Sequence, residues 1–182
     1  LRTYYKVDGT GWATPFLLVP EVVSIDDSHV QRLCQAGEKD VRLSAASPFG
    51  IPFWLLNNSD SENNRRELIE AGRPGSGCPR GFLRFHHIDD MELPVCAASR
   101  PYLKTKIEIL ETDQELTPDQ CSSLKKSLLA KACLCRDLAA SALLKYNIET
   151  EAAPTVCPGP NIVNFSRIAS LQEMVAHIYG RL

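Results

Sequence analysis

Two cysteines one residue apart, Cys133 and Cys135, stand at the head of an apolar helical pattern and constrain this chain more than any other feature. Leu134, Leu138, Ala142 and Leu143 recur at helical spacing around them. The pair therefore falls in the first turn of a helix, where backbone N–H groups and the helix dipole favour thiolates. Two further cysteines each lie beside a turn: Cys78 in Gly75-Ser76-Gly77-Cys78-Pro79 and Cys96 in Pro94-Val95-Cys96-Ala97. Zinc and iron–sulfur sites both take sulfurs delivered from turns and helix starts, so Cys78, Cys96, Cys133 and Cys135 are the candidate metal ligands. The same residues also read as small buried side chains, and their spacing is not that of a zinc finger. Cys157, beside Pro158-Gly159-Pro160, is a spare candidate, while Cys34 and Cys121 lie within helical patterns as core residues.

Composition narrows the setting. Seven cysteines are an odd number, spread over 182 residues that are enough to build a core without disulfide staples, which argues against a secreted scaffold. A reducing, cytoplasmic location is the expectation. The formal charge is -2 with Lys and Arg scattered singly, so no basic stripe faces a run of phosphates and nucleic acid is not an expected partner. No apolar run approaches the roughly 20 residues of a membrane helix, so no membrane partner is expected either. Leu1 is not an initiator Met and residues 4–7 read as a strand already in progress, so the chain is expected to begin inside a larger fold.

Taken in order, residues 3–7 are β-prone, and Asp8-Gly9-Thr10-Gly11 is a turn that either is only a turn or holds a phosphate on its backbone N–H groups. Ser24 and Asp27 have the spacing of a capping box for a short helix through His29, Val30, Leu33 and Cys34, with His29 on its surface. Residues 41–43 read as extended. The prolines and aromatics of Ser47-Pro48-Phe49-Gly50-Ile51-Pro52-Phe53-Trp54 then forbid a regular helix and predict an extended or covering segment that buries Phe49, Phe53 and Trp54. Ser61 is expected to start a helix ending at Gly72. The glycine-rich turn around Cys78 exposes N–H groups suited to a thiolate or a metal-bound sulfur, before a strand-like run at residues 82–85. Adjacent His86 and His87 would point to opposite faces of a strand, so at most one could serve as a ligand. An acidic loop follows at residues 88–92.

A short strand ends at Cys96, and Pro101 introduces a helix with Leu103, Ile107 and Leu110 in register. Thr117-Pro118-Asp119-Gln120 combines an N-cap, a Pro at the first helical position and a capping-box Gln. Lys125 and Lys126 are that helix's solvated face. A last helix starts at Ser170 with Glu173 three residues on and ends at Gly180. Arg136 and Asp137 read as ordinary first-turn charges. No base, acid or cation therefore stands with the cysteine pair in a catalytic arrangement, and no catalytic residue is assigned.

Several motifs, in this order, resemble the C-terminal part of the nitronate monooxygenase-like (2-nitropropane dioxygenase-like) flavoproteins, in the subgroup with a cysteine-containing extension. They are Ala13-Thr14-Pro15-Phe16 followed by Glu21, Ala46-Ser47-Pro48-Phe49-Gly50-Ile51-Pro52-Phe53, Cys78-Pro79-Arg80-Gly81-Phe82-Leu83, Val95-Cys96 and Lys131-Ala132-Cys133-Leu134-Cys135. The resemblance covers most of the chain up to about Leu144. It implies an α/β fold, mostly helical with short strands: the last strand and helix of an FMN-binding (β/α)₈ barrel in residues 1–40, and the cysteine-containing C-terminal extension in residues 41–182. It also implies flavin chemistry on a small carbon acid such as an alkyl nitronate, with a small-molecule substrate and the rest of the barrel upstream of Leu1 as partners. Ala13 and Thr14 would be contacts on the FMN phosphate side, with Gly9, Thr10 and Gly11 in the neighbouring turn. The family's usual Gly is Ala13 here. The family's catalytic histidine would lie upstream, so this chain alone would not turn over. The alternative is a non-catalytic module in which the cysteines ligate Zn²⁺ or an iron–sulfur cluster.

Overall fold

Side-chain caps set where the helices begin. In a computed structural model that describes residues 2–78, 81–88 and 92–181, Asp26 accepts the His29 N–H and opens α2 (Asp27–Cys34). Ser59 accepts the Glu62 N–H and opens α3 (Asp60–Glu70), one turn position earlier than the Ser61 start read from the sequence. Ser99 does the same for α4 (Arg100–Thr112). Thr117 with Gln120, and Ser170 with Glu173, close reciprocal capping boxes at α5 (Pro118–Leu129) and α7 (Leu171–Ile178). Between these two, α6 (Leu134–Lys145) starts at Cys133 without any side-chain cap. Pro79, Arg80 and residues 89–91 lie outside the described residues, and with them two of the six residues of the Cys78 motif and most of the acidic loop.

The protein is a mixed α/β structure, and helix predominates. Among the described residues there is one sheet, in which β1 (Val41–Ser44) pairs antiparallel with β2 (Phe53–Leu56), Val41 opposite Leu56 and Ser44 opposite Phe53. The connecting loop carries both prolines of the aromatic segment. Its tip is turned outward: Phe49 is 56% exposed, against the expectation that it is buried, and stacks at the surface on Phe85 with ring centroids 5.5 Å apart.

Strand propensity near the start is not realised. Residues 3–7 do not form a strand; α1 (Arg2–Tyr5) is a single helical turn, and Thr14–Leu18 is a 3₁₀ helix with Pro15 in its first turn. A β-prone run needs a partner edge for its backbone groups, and no described strand lies beside this one. Residues 82–85 likewise stay out of any ladder, leaving an isolated antiparallel bridge between His86 and Val95.

Both ends of the chain build the main core. Leu18, Ile25, Val30, Leu33, Leu56, Val156 and Ile162 form one buried cluster, so the 3₁₀ turn and α2 pack against residues near the C-terminus. Val19, Ala169 and Met174 form a second cluster under α7, while Ala46, Ala132 and Leu134, with Phe53 against them, form a third beneath the start of α6. His29 belongs with the core and not the surface: it is 0% exposed, because α2 turns its third residue inward, toward Asp26, whose carboxylate lies 3.4 Å from Nδ1.

Candidate functional site

Three separate pieces of backbone bring the cysteines together. The turn carrying Cys78 is clamped to the start of α4: the Ser76 N–H donates to the Ala98 carbonyl (2.9 Å) and the Arg100 N–H to the Ser76 carbonyl (3.1 Å). Gly75 sits within that clamp at φ 90°, where a Cβ would come within 2.8 Å of the Arg100 backbone, so only glycine allows the approach. Cys96 lies on the adjoining strand-like piece, held by paired hydrogen bonds between His86 and Val95. The start of α6 is docked by the Ala132 N–H on the Ala46 carbonyl (2.9 Å), with the Lys131 ammonium on the carbonyls of Ala45 and Ser47.

The sulfurs are close enough to feel one another. Burial pushes the Cys96 thiol above its ordinary value, and the neighbouring Cys135 and Cys78 add to the effect. Burial is likewise the largest influence on Cys135, followed by the charge of Cys78, with a hydrogen bond to Cys133 working the other way. Cys133 is pushed up to about 12 by burial, with contributions from Asp137, Cys78 and Cys135, against a hydrogen bond from the Ser76 side chain. The thiolate expected at the helix start is therefore not favoured in the protein alone: Cys133 is buried and loses more hydration than the helix N-terminus returns.

Backbone N–H groups nonetheless point at the sulfurs. The Gly81 N–H donates to Cys78 Sγ and the Ala98 N–H to Cys96 Sγ, each at 3.4 Å. The Arg136 N–H donates to the Cys133 carbonyl (3.1 Å), and the nearby amide also works to lower the Cys135 pKa. Donors of this kind hold a sulfur's orientation and offset its charge once it binds a cation. No group of three or more His, Cys, Asp or Glu among the described residues stands in ready metal-ligating geometry. The sulfurs thus share a neighbourhood without forming a closed coordination shell.

One participant was hidden in the sequence. Asp137, read there as a first-turn charge, has its carboxyl pushed up to about 6 by burial, only partly offset by a hydrogen bond from Ser61 and the charge of Arg136. The Ser61 hydroxyl donates to Asp137 Oδ2 (2.5 Å), and a cavity of about 50 Å³ bounded by Ser61, Ser76, Cys133 and Asp137 lies between α3 and α6. Its only sequence signal is position, two residues past Cys135 and on the buried side of α6. His86, bridged to Val95, stacks on Tyr102 with centroids 4.9 Å apart. Cys157 is exposed, and Cys34 and Cys121 are half-buried within α2 and α5.

The candidate flavin-phosphate contacts stand apart in character. Gly9, Thr10, Gly11 and Ala13 are exposed, and a Cβ on Gly9 or Gly11 would meet nothing within 4 Å. The Thr10 hydroxyl accepts from Trp12 Nε1 (2.9 Å), and Thr14 packs against Gly159, where a Cβ would come within 2.9 Å of its hydroxyl. Glu21 accepts the Leu171 N–H at the start of α7 (3.1 Å), which ties the region to the C-terminal helix. Comparison with protein-family models, curated proteins and solved structures found no match. Among the described residues no helix is long and apolar enough to cross a membrane.

Proposed function

We propose that this chain is the C-terminal part of an FMN-dependent oxidoreductase resembling the nitronate monooxygenases, and that its extension, residues 41–182, is a non-catalytic, cysteine-ligated metal-binding module. The observation that carries the metal reading is the shared neighbourhood of Cys78, Cys96, Cys133 and Cys135, two of which accept backbone N–H groups. Sulfur ligands suit Zn²⁺ or an iron–sulfur cluster, either of which would lock the Cys78 turn, the Cys96 segment and α6 together. The thiols lie above their ordinary pKa values in the metal-free chain, so ligation releases their protons and couples binding to pH.

The flavin part of the reading rests on the order of motifs that the chain shares with the family. In it, a (β/α)₈ barrel lies upstream, residues 2–40 contribute helical turns and no strand to its end, FMN is held on its phosphate side by Ala13 and Thr14 with the turn at Gly9, Thr10 and Gly11, and a small-molecule substrate is oxidised in the barrel. The location is cytoplasmic in this reading, since free thiols persist in a reducing compartment.

Purification of the natural full-length product without oxygen, with elemental analysis for zinc and iron and a visible absorption spectrum, tests both parts. Stoichiometric metal that is lost when Cys78, Cys96, Cys133 or Cys135 is changed singly to Ser supports the module. Metal content unchanged in all of these variants removes it. A full-length protein without flavin absorbance removes the oxidoreductase reading while leaving the metal result standing.

A further inference from the structure

A groove of about 580 Å³ between α3 and α5 is lined by Arg42, Arg65, Arg66, Lys125 and Lys126, with Glu62 as its one carboxylate. That carboxylate is 2% exposed and fully engaged: Oε1 accepts from Arg42, Arg65 and Arg66, and Oε2 from Arg65. Burial works to raise the Glu62 pKa, but the hydrogen bonds and charges of Arg65, Arg42 and Arg66 outweigh it and keep the group ionised. Glu62 therefore acts from the groove wall as a strut that fixes the guanidinium forks, its own charge already taken up by them. Arg65 is held a second time, by Nη1 on the Leu129 carbonyl (2.6 Å), and Arg42 by Nε on Asn57 (2.7 Å).

The charge is not cancelled at the surface. Arg42 and Arg66 remain 44% and 50% exposed, and the terminal nitrogens Nη1 of Arg42 and Nη1 and Nη2 of Arg66 have no hydrogen-bond partner among the described residues. Lys126 has no ion pair there either, whereas Lys125 is paired with Glu111. Positive charge is thus concentrated in one concavity of a chain whose formal net charge is -2. A single carboxylate would be satisfied by one fork. More than one exposed guanidinium together with an ammonium suits a multiply charged tetrahedral anion, which accepts from several directions at once. The cations cluster in a pocket-sized hollow and do not run in a stripe, which favours a small ligand over a nucleic-acid backbone.

We propose that this groove is a binding site for a phosphate-bearing small molecule, with Arg42, Arg66 and Lys126 contacting the phosphate and Glu62 positioning the arginines. The site is independent of the cysteine cluster and of the flavin reading. Calorimetric titration of the full chain with inorganic pyrophosphate at low salt tests it. The expected result is saturable binding with a dissociation constant of about 1 mM or tighter. The exposed substitution Lys126→Glu should weaken it at least about tenfold, while Lys145→Glu, outside the groove, should change it by about twofold or less. No saturation up to about 10 mM, or equal weakening by both substitutions, overturns the proposal.

Discussion

His29 illustrates how one side chain can set a pH response. Neither ring nitrogen has a hydrogen-bond partner among the described residues, and burial holds the imidazole below its ordinary value of 6.5 despite the Asp26 carboxylate nearby. The folded state therefore keeps His29 neutral at pH values where the unfolded chain has already taken up a proton. Stability should fall as pH drops through about 6.5, because the unfolded state binds more protons there. His29→Leu should remove that part of the slope, read as the difference between wild-type and variant unfolding free energies from pH 7 to 5. Asp26 reinforces the fold at the same place: the Ser141 hydroxyl donates to it (2.6 Å) and, with the His29 N–H, outweighs burial to hold its carboxyl below the ordinary value. A second residue, Glu62, anchors arginines from α3 and β1. Glu62→Ala should cost about 3 kcal/mol in denaturant unfolding, because it leaves partly buried guanidinium groups without their counter-charge.

Helices carry most of the local information in this chain. The Thr117 and Ser170 capping boxes were legible because each is a short-range pattern whose hydrogen bonds close within one turn. Thr117→Ala should lower stability by about 1 kcal/mol, measured by urea unfolding, since the cap also satisfies the Gln120 N–H. The start of α3 was placed slightly late, at Ser61, because Ser59 and Ser61 are equivalent caps by residue type. Ser59 is the cap that the fold selects, and Ser61 turns its hydroxyl to Asp137 on α6. The strand expected at residues 3–7 failed for the opposite reason: β propensity describes a fit to a neighbouring strand, and none lies beside it among the described residues. β1 and β2 succeed because the short loop between them brings a partner within reach.

The turn at Gly75 determines how the molecule as a whole assembles the cysteines. It lets the backbone before Cys78 press against α4, and a side chain there would collide with the Arg100 backbone while also straining φ. Gly75→Ala should cost at least about 2 kcal/mol and, under the metal reading, should lower metal content alongside the cysteine substitutions although no ligand has been changed. Thermal unfolding and elemental analysis of the same preparation check both outcomes. A strong chelator should lower the unfolding temperature of the wild-type chain more than that of Cys133→Ser, because bound metal stabilises only the folded state.

Sequence alone determined the helices α2 to α7, the Thr117 and Ser170 caps and the set of sulfurs, since each depends on residue type and short spacing, whereas the caps of α2 and α3, read at Ser24 and Ser61, are Asp26 and Ser59 in the fold. It also indicated that turns would present Cys78 and Cys96. Tertiary structure alone decided that these cysteines share one neighbourhood with Cys133 and Cys135, that burial there disfavours thiolates, and that Asp137 joins them. It alone buried His29 and gathered Arg42, Arg65, Arg66 and Lys126 around Glu62, from residues up to 84 positions apart in the chain. The physical reason is the same throughout. Caps and periodicity act over one or two turns of backbone, whereas desolvation and the summed field of charges depend on which distant segments pack together.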